Sequence, residues 1–344
     1  MGIDCATCHL KVATIERDPS TGYIQVVLPE TEGGVPPDDP ELGEIVKAAD
    51  CQRCHVSDNR VTAPASQLPP RSVICLACHD ASPIVQDRLS WIGIVSFRLG
   101  MLVVSSVWLR GSAGGLQDLS RPARLWRIFV TFLSHITARR LFVFVWSFIV
   151  DGMLHRKLFH ESKLRWLAHT CMLLGMAVRM TLGIFTWLMT VLVPVSPVTQ
   201  TLVNKNSLTI ALVYEGLGLA VVLGVVLAIF RRYVIKDKQL ITGQQDTITI
   251  VLMGAIFSMG FIVEGARILT TDIPLSPAAF SFVGYLVSLG LNLAPINWEA
   301  VYGGLWYTHT GLVTALIAYL PFSKFFHVLV SPVVAALNSA LKAR

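Results

Sequence analysis

Leu208-Thr-Ile-Ala-Leu-Val-Tyr-Glu-Gly-Leu-Gly-Leu-Ala-Val-Val-Leu-Gly-Val-Val-Leu-Ala-Ile-Phe230 is the stretch that decides the fold. It is apolar almost throughout, and a helix needs about 20 such residues to cross the hydrocarbon layer of a bilayer. Residues 91–109, 166–193, 247–269 and 301–320 read the same way, the first of them carrying Arg98. Residues 277–291 are apolar but short, so they are expected to pack on the outer side without crossing, where protein must cover their backbone. With 53% hydrophobic and 15% charged residues among 344, the chain has the composition of a membrane protein. The expected fold class is mainly α: a five-helix transmembrane bundle over residues 91–344, with a small irregular domain before it over residues 1–90.

Charge divides the chain in the same place. Residues 1–90 carry a net −6 and residues 91–344 a net +12. The excess of Lys and Arg lies in loops between apolar runs. The positive-inside rule explains it there, and no nucleic-acid partner is implied. Residues 110–165 hold 10 Lys/Arg, Arg231, Arg232, Lys236 and Lys238 form a second basic loop, and Lys324, Lys342 and Arg344 a basic tail. With all of these in the cytoplasm, five spans leave the amino terminus outside. Residues 125–160 mix apolar runs with Arg pairs and are expected to form an amphipathic helix on the cytoplasmic surface. A spanning helix there would place Arg139 and Arg140 near mid-bilayer, which is costly.

Cys-x-x-Cys-His occurs three times in the acidic part: Cys5, Cys8 and His9; Cys51, Cys54 and His55; Cys75, Cys78 and His79. This is the attachment signal of c-type haem: two thiols bond the macrocycle and the adjacent His turns its ring onto the iron. The spacing of the last two pairs also fits a zinc ribbon. Zinc gives no role to the His after each pair and leaves Cys5 and Cys8 unused. Three haems c are therefore expected, on the outer face of an energy-conserving membrane. That agrees with the orientation read from loop charge. Pro and Gly recur in this part, as in Pro36, Pro37 and Pro40, so haem rather than side chains would form its core. Export of this part is expected to use a leader upstream of Met1, the alternative being the first apolar segment acting as a reverse anchor. Residues 1–134 contain no other His. The distal positions of the c haems are left to Met1, Lys11, Lys47, another subunit or nothing.

Among the remaining histidines, His309 and His327 are 18 residues apart. On one continuous helix that is five turns, so both face the same way about 27 Å apart. A bundle holding two haems b, one near each surface, needs that arrangement. His169 opens the second span at the cytoplasmic depth of His327, and the pair can sandwich a haem b. His309 has no matching His on the second span, where Arg179 stands instead. It is left with a Met such as Met180, an open position, or a role as proton acceptor for a quinol. A shifted register, His155 with His327 and His169 with His309, would push residues 166–193 beyond the outer surface. His135, His155 and His160 are expected at the solvated surface.

The run His309-Thr-Gly-Leu-Val-Thr-Ala-Leu-Ile-Ala-Tyr-Leu-Pro-Phe-Ser-Lys-Phe-Phe-His327 resembles the last helix of the respiratory nitrate reductase gamma subunit. Lys163-Leu-Arg-Trp-Leu-Ala-His169 and Gly260-Phe-Ile-Val-Glu-Gly-Ala-Arg267 resemble the wider group. That group includes the membrane cytochromes b of heterodisulfide reductases and of the sulfite-reductase-associated complex. The resemblance covers roughly residues 91–335. It implies a five-helix, quinol-handling cytochrome b that exchanges electrons with a cytoplasmic iron–sulfur subunit. The gamma subunit has two bis-His haems, and Arg179 departs from that pattern. The triheme part also departs from it, whereas a separate triheme protein accompanies the sulfite-reductase-associated relative. The chain looks like a fusion of the two roles.

These readings converge on a multi-pass inner-membrane electron-transfer subunit of a larger redox complex. The expected cofactors are three haems c and one or two haems b, with menaquinone or another quinone as substrate, bound near His309, Glu264 and Arg267. Glu264 and Arg267 read equally as a helix-stabilising ion pair. The competing class is a haem-wired membrane anchor with no quinone site, serving a separate catalytic subunit.

Overall fold

The computed structural model describes the backbone of Thr14–Arg17 and Ile24–Val27, most of residues 72–108, scattered positions from 119 to 136, and most of residues 137–342. The chain is mainly helical. Among the described residues the strands are β1 (Thr14–Arg17) and β2 (Ile24–Val27), an antiparallel pair with Thr14 opposite Val27.

Five helical segments are long and apolar enough to cross a membrane: Arg88–Val107, Lys163–Leu192, Leu208–Val234, Gln244–Thr270 and Lys324–Lys342. Four coincide with expected spans; the fifth does not. Residues 301–320 do form a helix, Trp298–Tyr319, but its Glu299, His309 and aromatic hydroxyls make it less apolar than the others. It nonetheless packs inside the bundle, between the helices Arg88–Trp108 and Gln244–Thr270. In chain order the helices are α1 (Arg88–Trp108), α2 (Ala138–Ser147), α3 (Arg156–Glu161), α4 (Lys163–Leu192), α5 (Pro197–Val203), α6 (Leu208–Ile229), α7 (Gln244–Thr270), α8 (Leu275–Phe280), α9 (Phe282–Leu291), α10 (Trp298–Tyr319) and α11 (His327–Lys342).

His309 and His327 do not share one helix. α10 stops at Tyr319, two 3-10 turns follow (Leu320–Phe322 and Lys324–Phe326), and α11 begins at His327. Pro321 is the cause. It lacks the N–H that would continue the ladder and its ring crowds the carbonyl four residues back. Ser323 is then extended at φ −109°, ψ 159°. The break is held at one end of the bundle, where Lys324 and Arg232 reach Asp246 at 3.4 and 3.6 Å.

The bundle is held by close backbone approach, because lipid tails give apolar side chains no reason to leave them. α4 lies directly on α6. A Cβ added to Gly175 would stand 2.9 Å from the Leu217 carbonyl, and one added to Gly224 would stand 2.8 Å from the Ala168 carbonyl. Val221, Val225, Ile250, Met253, Ile256, Phe257 and Leu316 form the buried core. Large side chains such as Leu102, Phe142 and Val226 remain exposed, as a lipid-facing surface requires.

Residues 277–291 form short helices, α8 and α9, packed on α6 and α7. Ten residues in α9 are too few to cross, which agrees with a non-spanning segment. Residues 138–153 form α2 and a π-helical turn (Phe148–Met153) that run antiparallel to α11. Ser147 donates to Ser339 at 2.9 Å, and Gly152 abuts Pro332. Thr137 caps α2 by accepting from the Arg140 N–H at 3.3 Å. Arg139 and Arg140 therefore occupy the first turn, at a helix end.

Candidate redox sites

A cavity of about 380 Å³ opens between α4, α6, α7 and α10, within the size range of small-molecule and cofactor sites. Its lining includes Cys75, Cys78, His79, Arg179, Glu264 and His309. The third Cys-x-x-Cys-His motif is thus lodged in the bundle. Its carrier is a 3-10 turn, Val73–Ala77, packed on α1, α4 and α10. Cys78 lies against the buried core.

Local geometry presents the donors together. Cys75 lies within the 3-10 turn and Cys78 caps its end, and both line the cavity. Cys78 and His79 both donate their N–H groups to the Cys75 carbonyl at 3.0 Å. Upstream, Ser72 donates to Asp87 at 2.6 Å, and Asp87 accepts the Ser90 N–H at 2.8 Å, tying the turn to the start of α1. Burial works to raise the Asp87 carboxyl, but these hydrogen bonds outweigh it and hold the group below the usual carboxylate range.

Arg179 explains how a non-helical turn is tolerated so deep. It stands about 20 Å from the outer end of α4 at 1.5 Å per residue. Backbone at membrane depth must find its partners within the protein. Arg179 Nε donates to the Cys78 carbonyl at 2.7 Å and Nη1 to the Tyr214 carbonyl at 3.1 Å. Its guanidinium lies 5.1 Å from the Tyr214 ring centroid and 5.4 Å from that of Phe257. Gly218 leaves the space it fills, since a Cβ there would meet Nη1 at 2.5 Å. Sequence reasoning saw in Arg179 only an absent histidine.

His309 enters the cavity from α10. Its ring faces Gly260 of α7, where an added Cβ would lie 3.5 Å from Cε1. Its buried Nδ1 makes no hydrogen bond of normal geometry among the described residues, although the Ile256 carbonyl lies beside the ring. Nearer the outer end, Arg267 forms a two-pronged pair with Glu264 at 2.8 and 3.1 Å and donates to Asn206 at 3.1 Å. That satisfies the ion-pair reading, and both groups line the cavity as well. Glu215 accepts the N–H groups of Val283 and Gly284 at 2.9 and 3.3 Å, so a carboxylate caps the positive end of α9. Its signal was present in the sequence: it is the one Asp, Glu, Lys or Arg in residues 208–230.

A second group of donors gathers toward the other end of the bundle from the cavity, near the start of α4. His169 lies about 15 Å below Arg179 along α4. The His155 ring meets it edge-on, 5.8 Å between centroids, and His327 is close enough to interact electrostatically with both. The shifted register fails here, because His309 stands level with Arg179 and not with His169. His155 is half-buried, not a solvated surface residue. It adopts a left-handed backbone (φ 51°), and the Trp166 indole donates to the Leu154 carbonyl at 2.8 Å, folding the chain back on α4. Burial, with His327 nearby, pushes the His155 pKa below its ordinary value and favours neutral imidazole. His327 Nδ1 donates to the Lys324 carbonyl at 2.6 Å, so its Nε2 is the ring atom that carries the lone pair.

The donors fit haem better than a bare metal ion. Among the described residues no group of three or more His, Cys, Asp or Glu could hold a metal ion. Haem iron asks only for axial donors, and its macrocycle for two thiols where it is covalently held. Cys5, Cys8, His9, Cys51, Cys54 and His55 lie outside the described residues.

No family model and no solved structure matches the chain. It is similar to an EtfAB:quinone oxidoreductase of Syntrophomonas wolfei, 30% identical over 132 residues, which are 35% of this chain and 18% of that protein. The matched part therefore spans less than a fifth of that relative's length.

Proposed function

We propose that this chain is a respiratory membrane subunit that passes electrons between the quinone pool, haem b and three c-type haems, as part of a larger redox complex. The observation that carries the reading is the third Cys-x-x-Cys-His motif, seated with His309 in one cavity inside a membrane bundle. The relative named as a quinone oxidoreductase supports the quinone part.

Bound haem supplies a one-electron iron couple. The chain supplies the rest. Cys5 and Cys8 with His9, Cys51 and Cys54 with His55, and Cys75 and Cys78 with His79 hold the c haems. His169 and His327 hold a haem b, with His155 packed against His169. Glu264 and Arg267 bind and orient a quinone head group at the outer end of the cavity, where the carboxylate can take a proton. The c-haem part faces outward from the inner membrane, and a cytoplasmic iron–sulfur subunit and other redox subunits are the partners.

A second reading is a haem-wired anchor without a quinone site. The Glu264–Arg267–Asn206 network favours it, because each group already has a partner. Quinol added to the purified chain separates the two. Quinol-dependent reduction of its haems, lost in Glu264→Gln, supports the proposal. Haems that dithionite reduces and quinol does not would leave the anchor reading.

A further inference from the structure

On α4, level with His309 and lining the same cavity, stands Arg179. A guanidinium stays protonated and has no lone pair to give, so it cannot ligate iron. It is also engaged with the Cys78 and Tyr214 carbonyls. The donors that do line the cavity are two thiols, Cys75 and Cys78, and two imidazoles, His79 and His309. That is the complete donor set of a covalently held, six-coordinate haem: two thioethers, one proximal ring and one distal ring.

We infer that His309 of α10 is the distal axial ligand of the haem carried by Cys75, Cys78 and His79, so that a c haem occupies the outer site of the bundle. The inference rests on the haem c reading of this motif. Three independent features fit it. The motif is packed against α1, α4 and α10 and not held off them. Arg179 and Asp87 fix its two ends, through the Cys78 carbonyl and the Ser72 hydroxyl. His309 is half-buried, its buried Nδ1 makes no hydrogen bond of normal geometry, it faces Gly260, and among the described lining residues it is the imidazole outside the motif. The chain therefore brings a c haem about 15 Å along α4 from the His169 group, within one bundle.

The test uses the full chain purified with its haems. In His309→Ala, one of the three c haems should change from low to high spin by electron paramagnetic resonance. The intact mass should still show three covalent haems, the haem b content should be unchanged, and added imidazole should restore the low-spin signal. In His309→Met no haem should change spin state while one c haem shifts to a more positive midpoint potential, as Met ligation does. Loss of haem b in His309→Ala with every c haem still low-spin would overturn the inference. So would an unchanged spin state with haem mass present on the peptide containing Cys75 and Cys78. A peptide without haem mass would overturn the c-haem reading itself, and the inference with it.

Discussion

Arg179→Met tests whether the buried guanidinium docks the third motif. The substitution keeps much of the side-chain volume and removes the donor to the Cys78 carbonyl, now 2.7 Å away. Hydrogen bonds to charged groups contribute about 1.5–3 kcal/mol, and an orphaned buried carbonyl costs a similar amount. At about 1.4 kcal/mol per decade, the undocked population of residues 72–79 should rise roughly 10- to 150-fold. The amides of Cys75, Cys78 and His79 are hydrogen-bonded within the turn at 2.9–3.0 Å, so they report docking directly. Hydrogen exchange with mass spectrometry on the chain in nanodiscs should show faster exchange in this peptide and no change in a peptide from α11, which Arg179 does not touch. Arg179→Lys should fall between, since a point-like ammonium cannot serve both the Cys78 and Tyr214 carbonyls. Unaltered exchange at residues 72–79 in Arg179→Met would refute the reasoning.

Further outcomes follow from other contacts. Asp87 has a depressed pKa, so its contribution is present above the ordinary carboxylate value and is lost as pH falls through the folded one. Protection of residues 72–79 should decline on acidification, and Asp87→Asn should make it weak at every pH; a pH-dependent Asp87→Asn would count against the assignment. Gly224→Leu forces a Cβ to within 2.8 Å of the Ala168 carbonyl and should lower the melting temperature in detergent by the equivalent of at least about 1–3 kcal/mol. Gly216→Ala, with nothing within 4 Å, should be neutral or stabilising by up to about 1 kcal/mol, and equal melting of the two variants would contradict the packing argument. His169→Ala should abolish haem b in a pyridine haemochrome assay and leave haem c untouched; retention of full haem b would remove His169 as ligand.

Much of the fold is legible because a bilayer leaves few options. Residues 166–193, 208–230 and 247–269 declare themselves by length and apolarity, and their helices lie within a few residues of those limits. The Cys-x-x-Cys-His triplets are plain as sequence motifs, and the third of them lies among the described residues. What fails is the argument from 18-residue periodicity between His309 and His327. It assumed an unbroken helix, and Pro321 between them was the visible warning. His155 was misplaced for another reason: a left-handed turn and the Trp166–Leu154 bond fold it back on His169, and no helical phase encodes that. The seat of the third motif in the bundle depends on contacts between residues about 100 positions apart, Cys78 with Arg179. Arg179 is conspicuous in an apolar run, but its partner is a backbone carbonyl with no sequence signature.

The most direct test of the whole account is the haem inventory of the purified full chain, by pyridine haemochrome spectrum and intact mass. The account predicts three covalently held c haems, one for each Cys-x-x-Cys-His, together with a non-covalent haem b. A colourless chain, or one carrying zinc on its thiols, would contradict it.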